Sequence, residues 1–125
     1  LSNTNYLACL LPNTPATEGI MDLSVFNKMP RGSYVLNAGR GSQLVEPDLL
    51  EALNNGQIKG AALDVFETEP LPKDHPFWTD SRILLTPHHA AEVFLPAAAK
   101  IFLKNIYSIR NNQPLMGLVN QELGY

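Results

Sequence analysis

Four side chains that suit the steps of carbonyl reduction lie in or shortly after three apolar, strand-like runs of this sequence. They are an arginine, Arg40, two carboxylates, Asp64 and Glu69, and a histidine, His88. The carboxyl ends of neighbouring strands in an open parallel sheet converge on one crevice, where ligands bind. We therefore expect an anion clamp, an acid and an imidazole to meet in a catalytic site.

Arg40 lies between Gly39 and Gly41, just after a strand-like run. Glycines allow the backbone to approach a ligand closely, and the planar guanidinium fork matches a carboxylate. We predict that Arg40 holds a 2-oxo acid by its carboxylate and polarises the adjacent carbonyl. The alternative is a surface arginine that closes a turn.

His88 and Glu69 have the chemistry of a proton donor and its orienting partner. An imidazole can transfer a proton near neutral pH, and a carboxylate bonded to one ring nitrogen fixes its tautomer. The alternatives are a structural histidine and a solvated loop acid, for which Glu67 is an example. Adjacent His89 leaves open which ring faces the crevice. His75 is interpreted as structural, in a turn against a packed tryptophan.

Asp64 stands in an apolar run, where a charge is seldom buried without a partner. It would accept from a cofactor amide or cap a neighbouring loop. Metal chemistry is disfavoured, because adjacent histidines cannot easily face one ion and no HExxH or paired-cysteine spacing occurs. Ser42 does not lie in a GxSxG elbow, which disfavours a serine hydrolase.

The composition is that of one domain rather than two, with 125 residues of which 45% are apolar. A net charge of −3 with scattered basic residues argues against nucleic-acid binding. No run approaches the roughly 20 apolar residues of a membrane span, so no membrane association is expected. The single cysteine, Cys9, is expected to be buried and suits a reducing compartment. A chain that starts at Leu1, close to a strand, suggests a fragment.

Strand-like and helix-like runs alternate, which predicts βαβ units and therefore an α/β fold with a parallel sheet. The expected strands are 6–11, 34–36, 60–65 and 83–85, with 6–11 covered on both faces. The expected helices are 22–29, one beginning at 46–48 with Gly56 after its end, and a long one from about 96 to 110. Prolines make regular structure over 67–81 unlikely. The expected buried side of the long helix comprises Ala98, Ile101, Phe102, Ile106 and Ile109.

Two stretches of the sequence, 37–41 and the longer 49–66, resemble the signature of the D-isomer-specific 2-hydroxyacid dehydrogenases. The sequence Asn-Ala-Gly-Arg-Gly occupies the first, and Glu-Pro-Leu-Pro, His-Pro-Phe-Trp and Thr-Pro-His follow the second in the family's order. Residues 10–17 and the ending at 123–125 are similar to a subgroup that reduces glyoxylate and hydroxypyruvate.

The resemblance implies the second half of a Rossmann-like dinucleotide-binding domain over 1–112, and a C-terminal tail over 113–125 towards a substrate domain. It implies substrate binding by Arg40, proton donation by His88 and orientation by Glu69. The implied cofactor is NADPH, with NADH as the alternative, in a cytoplasmic homodimer. The positions implied to line the nicotinamide half of the cleft are Pro12, Thr17, Ala38, Gly39, Arg40 and Asp64.

No GxGxxG motif occurs in the chain. The resemblance therefore places the pyrophosphate loop and the residue that selects NAD or NADP before Leu1, and we expect residues 1–125 alone to be inactive. The main rival function is a non-catalytic, dinucleotide-sensing module on the same scaffold, because a fold does not fix a function.

Overall fold

The computed structural model describes residues 1–91, 93–122 and 124. Leu123 and Tyr125, part of the ending that carries the family resemblance, lie outside the described residues. The strands are β1 (Tyr6–Cys9), β2 (Ser33–Asn37), β3 (Ile58–Leu63) and β4 (Ile83–Leu85). The α-helices are α1 (Leu23–Phe26), α2 (Glu46–Asn54) and α3 (Leu95–Arg110), and short 3-10 helices cover Gly41–Gln43 and Pro76–Trp78.

The four strands form one parallel sheet in the order β1-β2-β3-β4. The α/β fold with a parallel sheet is therefore confirmed. Each strand pairs with the next one along the chain, an order that the hydrophobic pattern alone did not specify. The register aligns Asn37 with Leu63 and Leu63 with Leu85, so the carboxyl ends of three neighbouring strands lie side by side.

One face of the sheet carries the core and the other is largely exposed. On the core face, Val35 and Leu63 pack with Phe26 of α1 and Leu49 of α2. Cys9 is buried in the same cluster, as expected. The prediction that the first strand is covered on both faces is wrong, because Tyr6 is 76% exposed. β1 lies at the edge of the sheet, where Tyr6 stacks on Tyr34 of β2.

Several predicted boundaries differ from the structure. β3 begins at Ile58 and ends at Leu63, so Asp64 follows the strand rather than lying inside it. α1 covers only Leu23–Phe26, because the Asp22 side chain caps its first turn and Pro30 follows closely. The aromatic residue packed beside His75 is buried Phe77, whereas Trp78 is exposed.

α2 begins and ends as its sequence predicts. Proline stands in its first turn with Glu46 and Asp48, and acids at this end interact favourably with the helix dipole. Gly56 follows the C-cap Asn55 and has a φ of 73°, the left-handed conformation common after a helix. Arg82, which precedes β4, donates to the Leu53 carbonyl at 2.7 Å. Hydrogen bonds from Arg82 lower the pKa of Asp80 to about 2, so this ion pair persists at neutral pH.

The chain divides into two compact units, Leu1–Ala90 and Ala91–Tyr125. In the second unit α3 has the predicted extent. The Asn105 side chain connects it to the segment that follows, because it donates a hydrogen bond to the Met116 carbonyl and accepts one from the Met116 N–H. The predicted buried side of α3 is wrong, since Ile101, Phe102 and Ile109 are exposed and so is Ala98. Of the five predicted residues, Ile106 is half-buried.

Across the residues that the structure describes, no helix combines the length and apolar character needed to cross a membrane.

We predict that Gly56→Ala lowers the free energy of unfolding by about 1 kcal/mol, because a Cβ disfavours the left-handed conformation. Crowding is a minor factor, since the nearest atom to an added Cβ is the flexible end of Arg31 at 3.4 Å. Urea denaturation measures the change. Gly56→Asn is the matched control and should cost less, because asparagine tolerates this conformation. Equal losses in the two variants would contradict the explanation.

Candidate active site

The site is built at the carboxyl edge of the sheet, where β2, β3 and β4 end in register. Arg40 follows β2 by three residues, Asp64 follows β3 directly, and His88 follows β4 by three residues. Glu69 lies in the loop after β3. The parallel register therefore brings residues that are up to 48 positions apart in the chain to one edge of the molecule.

Glu69 and His88 form a direct pair. His88 Nδ1 lies 2.8 Å from Glu69 Oε2. A charged carboxylate can only accept hydrogen bonds, so Nδ1 carries a proton and donates it to Glu69. The remaining ring nitrogen, Nε2, is thus the atom that can exchange a proton with another molecule. This arrangement fixes both the tautomer and the orientation of the imidazole.

Glu69 is held in its charged form. The hydrogen bond from His88 lowers the pKa of Glu69, and the Phe66 N–H, which donates to Oε1 at 3.0 Å, lowers it further. Burial opposes these effects, and the positive charges of His88 and Arg40 add to them. The net shift is downward. A depressed carboxyl pKa stabilises the fold at neutral pH, and this contribution is lost as the pH falls through the folded-state pKa.

Asp64 holds the turn that carries His88. Its Oδ1 accepts from the His89 N–H at 2.8 Å and from Thr86 Oγ1, and its Oδ2 accepts from the Ala90 N–H at 2.8 Å. His88 has a φ of 52°, which is uncommon for a residue other than glycine. The carboxylate binds the backbone on one side of His88 and the threonine on the other. Asp64 therefore stabilises a turn that the backbone would otherwise disfavour.

Asp64 is buried and charged. Burial raises its pKa, but hydrogen bonds from His89, Thr86 and Ala90 outweigh that effect, so its pKa is lowered overall. Of the two alternatives read from the sequence, loop capping is what these contacts show. The cofactor contact stays a prediction. A carboxylate has about four acceptor positions, of which three are used here.

The Arg40 loop is fixed through its backbone. Asn37 donates from Nδ2 to the Arg40 carbonyl at 3.0 Å and accepts from the Gly39 N–H at 3.1 Å. The Arg40 guanidinium donates from Nη1 to the Gly39 carbonyl at 2.7 Å and is otherwise exposed. Its charge reaches Glu69 electrostatically. The structure thus pairs Glu69 with His88 directly, and the charge of Arg40 makes a smaller contribution to the lowered pKa of Glu69.

Gln43 is a site-forming residue that sequence reasoning missed. It is fully buried, and its Oε1 accepts from the Arg40 N–H at 2.9 Å and from Cys9 Sγ at 3.2 Å. Its Nε2 donates to the carbonyls of Leu11 and Pro12 at 2.9 and 3.0 Å. One amide therefore joins the Arg40 loop to the loop after β1. The sequence feature that could have identified Gln43 is an isolated amide side chain two residues after Gly41 and directly before the apolar pair 44–45.

Gly41 permits the Arg40 and Glu69 loops to meet. A Cβ built on Gly41 would lie 1.8 Å from the Phe66 carbonyl oxygen and 2.5 Å from the Glu67 nitrogen. Both contacts involve backbone atoms, which cannot move aside as a side chain can. A residue without a side chain is therefore required for these two loops to approach as they do.

Two clefts occupy this edge. Glu69 and His88 line one of about 570 Å³ together with Trp78 and Leu71. Ala38 and Asp64 line a smaller one of about 190 Å³ beside it, together with Thr86. Thr86 lines both clefts, so they share a wall.

The other predicted cofactor positions lie in the two loops that Gln43 connects. Pro12 and Thr17 are bonded to each other, with Thr17 Oγ1 donating to the Pro12 carbonyl at 2.7 Å. Neither residue lines the two clefts, and Gly39 does not line them either. Within 1–91, 93–122 and 124, no group of three or more metal-ligating side chains is positioned to hold an ion.

Known proteins resemble the chain along its whole length. Residues 1–90 match the model of the D-isomer specific 2-hydroxyacid dehydrogenase NAD binding domain. Glyoxylate/hydroxypyruvate reductase A of Photorhabdus laumondii is 47% identical over 125 residues, and that of Serratia proteamaculans is 46% identical. Both alignments cover 100% of this chain and 40% of the relative. The chain thus spans two fifths of the length of these relatives.

Solved structures agree with this assignment. A D-isomer specific 2-hydroxyacid dehydrogenase from Xanthobacter autotrophicus, in complex with NADPH and MES, has a TM-score of 0.96 at 37% identity and covers all of this chain and 52% of its own. An NADPH-dependent glyoxylate/hydroxypyruvate reductase from Sinorhizobium meliloti, with NADP and sulfate, has a TM-score of 0.93 at 38% identity, covering 100% and 41%. The family match over 90 residues, the fold and the residues at the sheet edge lead to one conclusion: the chain belongs to the D-isomer specific 2-hydroxyacid dehydrogenase family.

Proposed function

We propose that this chain is the C-terminal part of a reductase that converts glyoxylate, hydroxypyruvate and similar 2-oxo acids to 2-hydroxy acids. The observation that carries the proposal is the 2.8 Å contact between Glu69 and His88 at the carboxyl edge of the sheet. An exposed imidazole with its tautomer fixed by a carboxylate is suited to general acid catalysis. Relatives named for this reaction, at 46–47% identity, support the choice of substrate.

In this proposal His88 protonates the carbonyl oxygen of the substrate. Nδ1 stays bonded to Glu69, and the proton moves from Nε2 to the oxygen as the carbonyl carbon gains hydride. The carboxylate of Glu69 stabilises the imidazolium form, which is the form that donates. In the reverse direction Nε2 takes the proton from the 2-hydroxyl group. Glu69 keeps its negative charge throughout, in line with its lowered pKa.

Arg40 binds the substrate carboxylate in this scheme. Its guanidinium is exposed at the end of a loop whose backbone Asn37 and Gln43 fix, so the cation is presented from a firmly held position. A guanidinium can bind a carboxylate through two parallel hydrogen bonds. The same positive charge would polarise the adjacent carbonyl towards hydride addition.

The proposed cofactor is NADPH, with NADH as the alternative. When bound, the nicotinamide ring supplies the hydride. The cleft beside the Glu69–His88 pair is lined mainly by apolar side chains, including Ala38 and Leu63, and by Asp64, which has an acceptor position left for a carboxamide. Complexes of similar structures with NADPH and NADP support the phosphorylated form. Of the residues proposed for the nicotinamide half, Ala38 and Asp64 line this cleft. The others, Pro12, Thr17, Gly39 and Arg40, would contact the cofactor from the loops after β1 and β2.

The whole protein is proposed to be a cytoplasmic homodimer. In it, residues 1–112 would complete a dinucleotide-binding domain and 113–125 would lead to the substrate domain. Spectrophotometric assay of NADPH oxidation with glyoxylate and hydroxypyruvate tests the proposed function. A protein that binds NADPH but reduces no 2-oxo acid would instead be a dinucleotide-sensing module.

In the whole protein, we predict that His88→Gln lowers kcat by about 10²–10⁴-fold, because it removes general acid catalysis. Steady-state NADPH oxidation measures the loss. His89→Gln is the matched control: it replaces the neighbouring ring, keeps the backbone hydrogen bond to Asp64, and should retain most activity. An equal loss of kcat in the two variants would contradict the assignment of His88 as the proton donor.

We predict that Arg40→Lys raises KM for the 2-oxo acid roughly 10- to 100-fold, because the bidentate fork is lost while the charge remains. Substrate titration at saturating NADPH gives the value. Arg31→Lys is the control, since Arg31 lies at the opposite edge of the sheet and donates to the Asn55 carbonyl. An unchanged KM in Arg40→Lys would exclude the clamp.

Residues 1–125 expressed alone should not oxidise NADPH in the presence of glyoxylate. The reason is that the chain contains no GxGxxG loop for the pyrophosphate of the cofactor. The assay compares the purified chain with a protein-free blank. A rate above the blank would show that these residues suffice.

A further inference from the structure

We infer that Glu46 and His75 are positioning residues that hold Glu69 in place for His88, by fixing both ends of the segment 67–75. This inference rests on the proposed function, because it concerns the same Glu69–His88 pair. Neither residue lines the cleft that contains the pair. Their effect is therefore exerted through the loop that carries Glu69.

A single carboxylate binds both ends of this segment. Glu46 Oε1 accepts from the Glu67 N–H at 3.0 Å, and Glu46 Oε2 lies 3.2 Å from His75 Nε2. Glu69 is two residues after the first contact and six before the second. The two oxygens of Glu46 therefore close the segment into a loop on α2, and Glu69 lies inside that loop.

Hydrogen bonding fixes the tautomer of His75. The Phe77 N–H donates to His75 Nδ1 at 3.3 Å, so Nδ1 accepts and the proton resides on Nε2, facing Glu46. The ring also packs edge-on against Phe77, with centroids 4.4 Å apart, and Phe77 is buried in the core. His75 thus connects the end of the segment both to a charge on α2 and to the hydrophobic core.

Burial makes the Glu46 contacts strong. The Glu46 side chain is 11% exposed and that of His75 is 18% exposed, so water competes little for either contact. Glu46 is also the first residue of α2, where the helix dipole stabilises a negative charge. By contrast, Glu69 is exposed, and within its own loop it is bonded only to the Phe66 N–H. The buried carboxylate supplies the rigidity that the exposed one lacks.

The experiment compares Glu46→Ala with Glu51→Ala in the whole protein. Glu51 lies on the same helix and is exposed, so the control removes an acid without touching the segment. The first readout is the carboxyl titration of Glu69 followed by ¹³C NMR, with its signal assigned as the one missing in Glu69→Gln. This readout requires no catalysis.

In the parent and in Glu51→Ala, the pKa of Glu69 should lie below its ordinary value of 4.5. In Glu46→Ala it should rise towards 4.5, because the displaced loop weakens the hydrogen bonds from His88 and Phe66. A merely stabilising role would leave the titration of the folded protein unchanged. An unchanged Glu69 titration in Glu46→Ala overturns the inference.

The second readout is a double-mutant cycle on kcat. Glu46→Ala should lower kcat roughly 10- to 100-fold, as expected when a catalytic group is misplaced. In the Glu69→Gln background the same change should cost nothing further, since it acts through Glu69. Equal losses in both backgrounds overturn the inference.

Glu46→Gln provides a second variant should Glu46→Ala fail to fold. It keeps an acceptor for the Glu67 N–H but turns an amide N–H₂ towards His75 Nε2, which breaks one of the two contacts. The same rise in the Glu69 pKa is expected, and its absence overturns the inference. A parent protein that reduces no 2-oxo acid would refute the proposed function, while the Glu69 titration would still decide the role of Glu46.

Discussion

The turn after β4 depends on the Asp64 carboxylate, and the geometry of the site depends on that turn. Asp64 accepts three hydrogen bonds, one from Thr86 before His88 and two from the backbone after it. These bonds offset the cost of a left-handed conformation at His88, which for a non-glycine residue is of the order of 1–3 kcal/mol. In this conformation His88 Nδ1 lies 2.8 Å from Glu69 Oε2. A buried negative charge is thereby used to orient a neighbouring polar group.

Three loops must then keep their spacing for the side chains to act together. Gln43 joins the loop after β1 to the Arg40 loop, and the bare backbone of Gly41 meets the Phe66 carbonyl of the Glu69 loop. The contacts are made by backbone or by buried amides rather than by exposed ion pairs. Exposed ion pairs are weak and screened by salt, whereas buried hydrogen bonds are not. These contacts act together with the buried carboxylates of Asp64 and Glu46, which hold the His88 turn and the Glu69 segment.

Much of the fold could be predicted from the sequence, and the reason is periodicity. Continuous apolar runs separated by turn residues identified four strands, and Pro47 and Gly56 marked the ends of α2. Boundaries were less predictable, as for β3, because Lys59 interrupts the apolar pattern of a strand that begins at Ile58. The exposed side of α3 was not predictable either, since an apolar stripe shows which face can be buried and not what packs on it.

The candidate site, like the fold, could be predicted from the sequence only in part. Arg40 and His88 could be proposed because each is a chemically reactive or charged side chain three residues after a strand, and Glu69 because it is an acid in the loop after β3. Gln43 could not, because its importance lies in four hydrogen bonds to partners more than 30 residues away or to the backbone of its own loop. Asp64 was recognised as a buried charge, but its partners follow from the register of β3 and β4, which a sequence pattern does not specify.

The loops at the amino ends of the strands and those at the carboxyl ends have different roles. The turns that precede β3 and β4 contain Gly56 and the Asp80–Arg82 ion pair, which contribute to the stability of the fold. The turns that leave β2, β3 and β4 contain Arg40, Asp64 and His88, which belong to the candidate site. Substitutions at one end of the strands could consequently change the stability of this domain without altering the residues of the candidate site at the other end. A laboratory could attach a dye or a tether at the amino ends of the strands for the same reason.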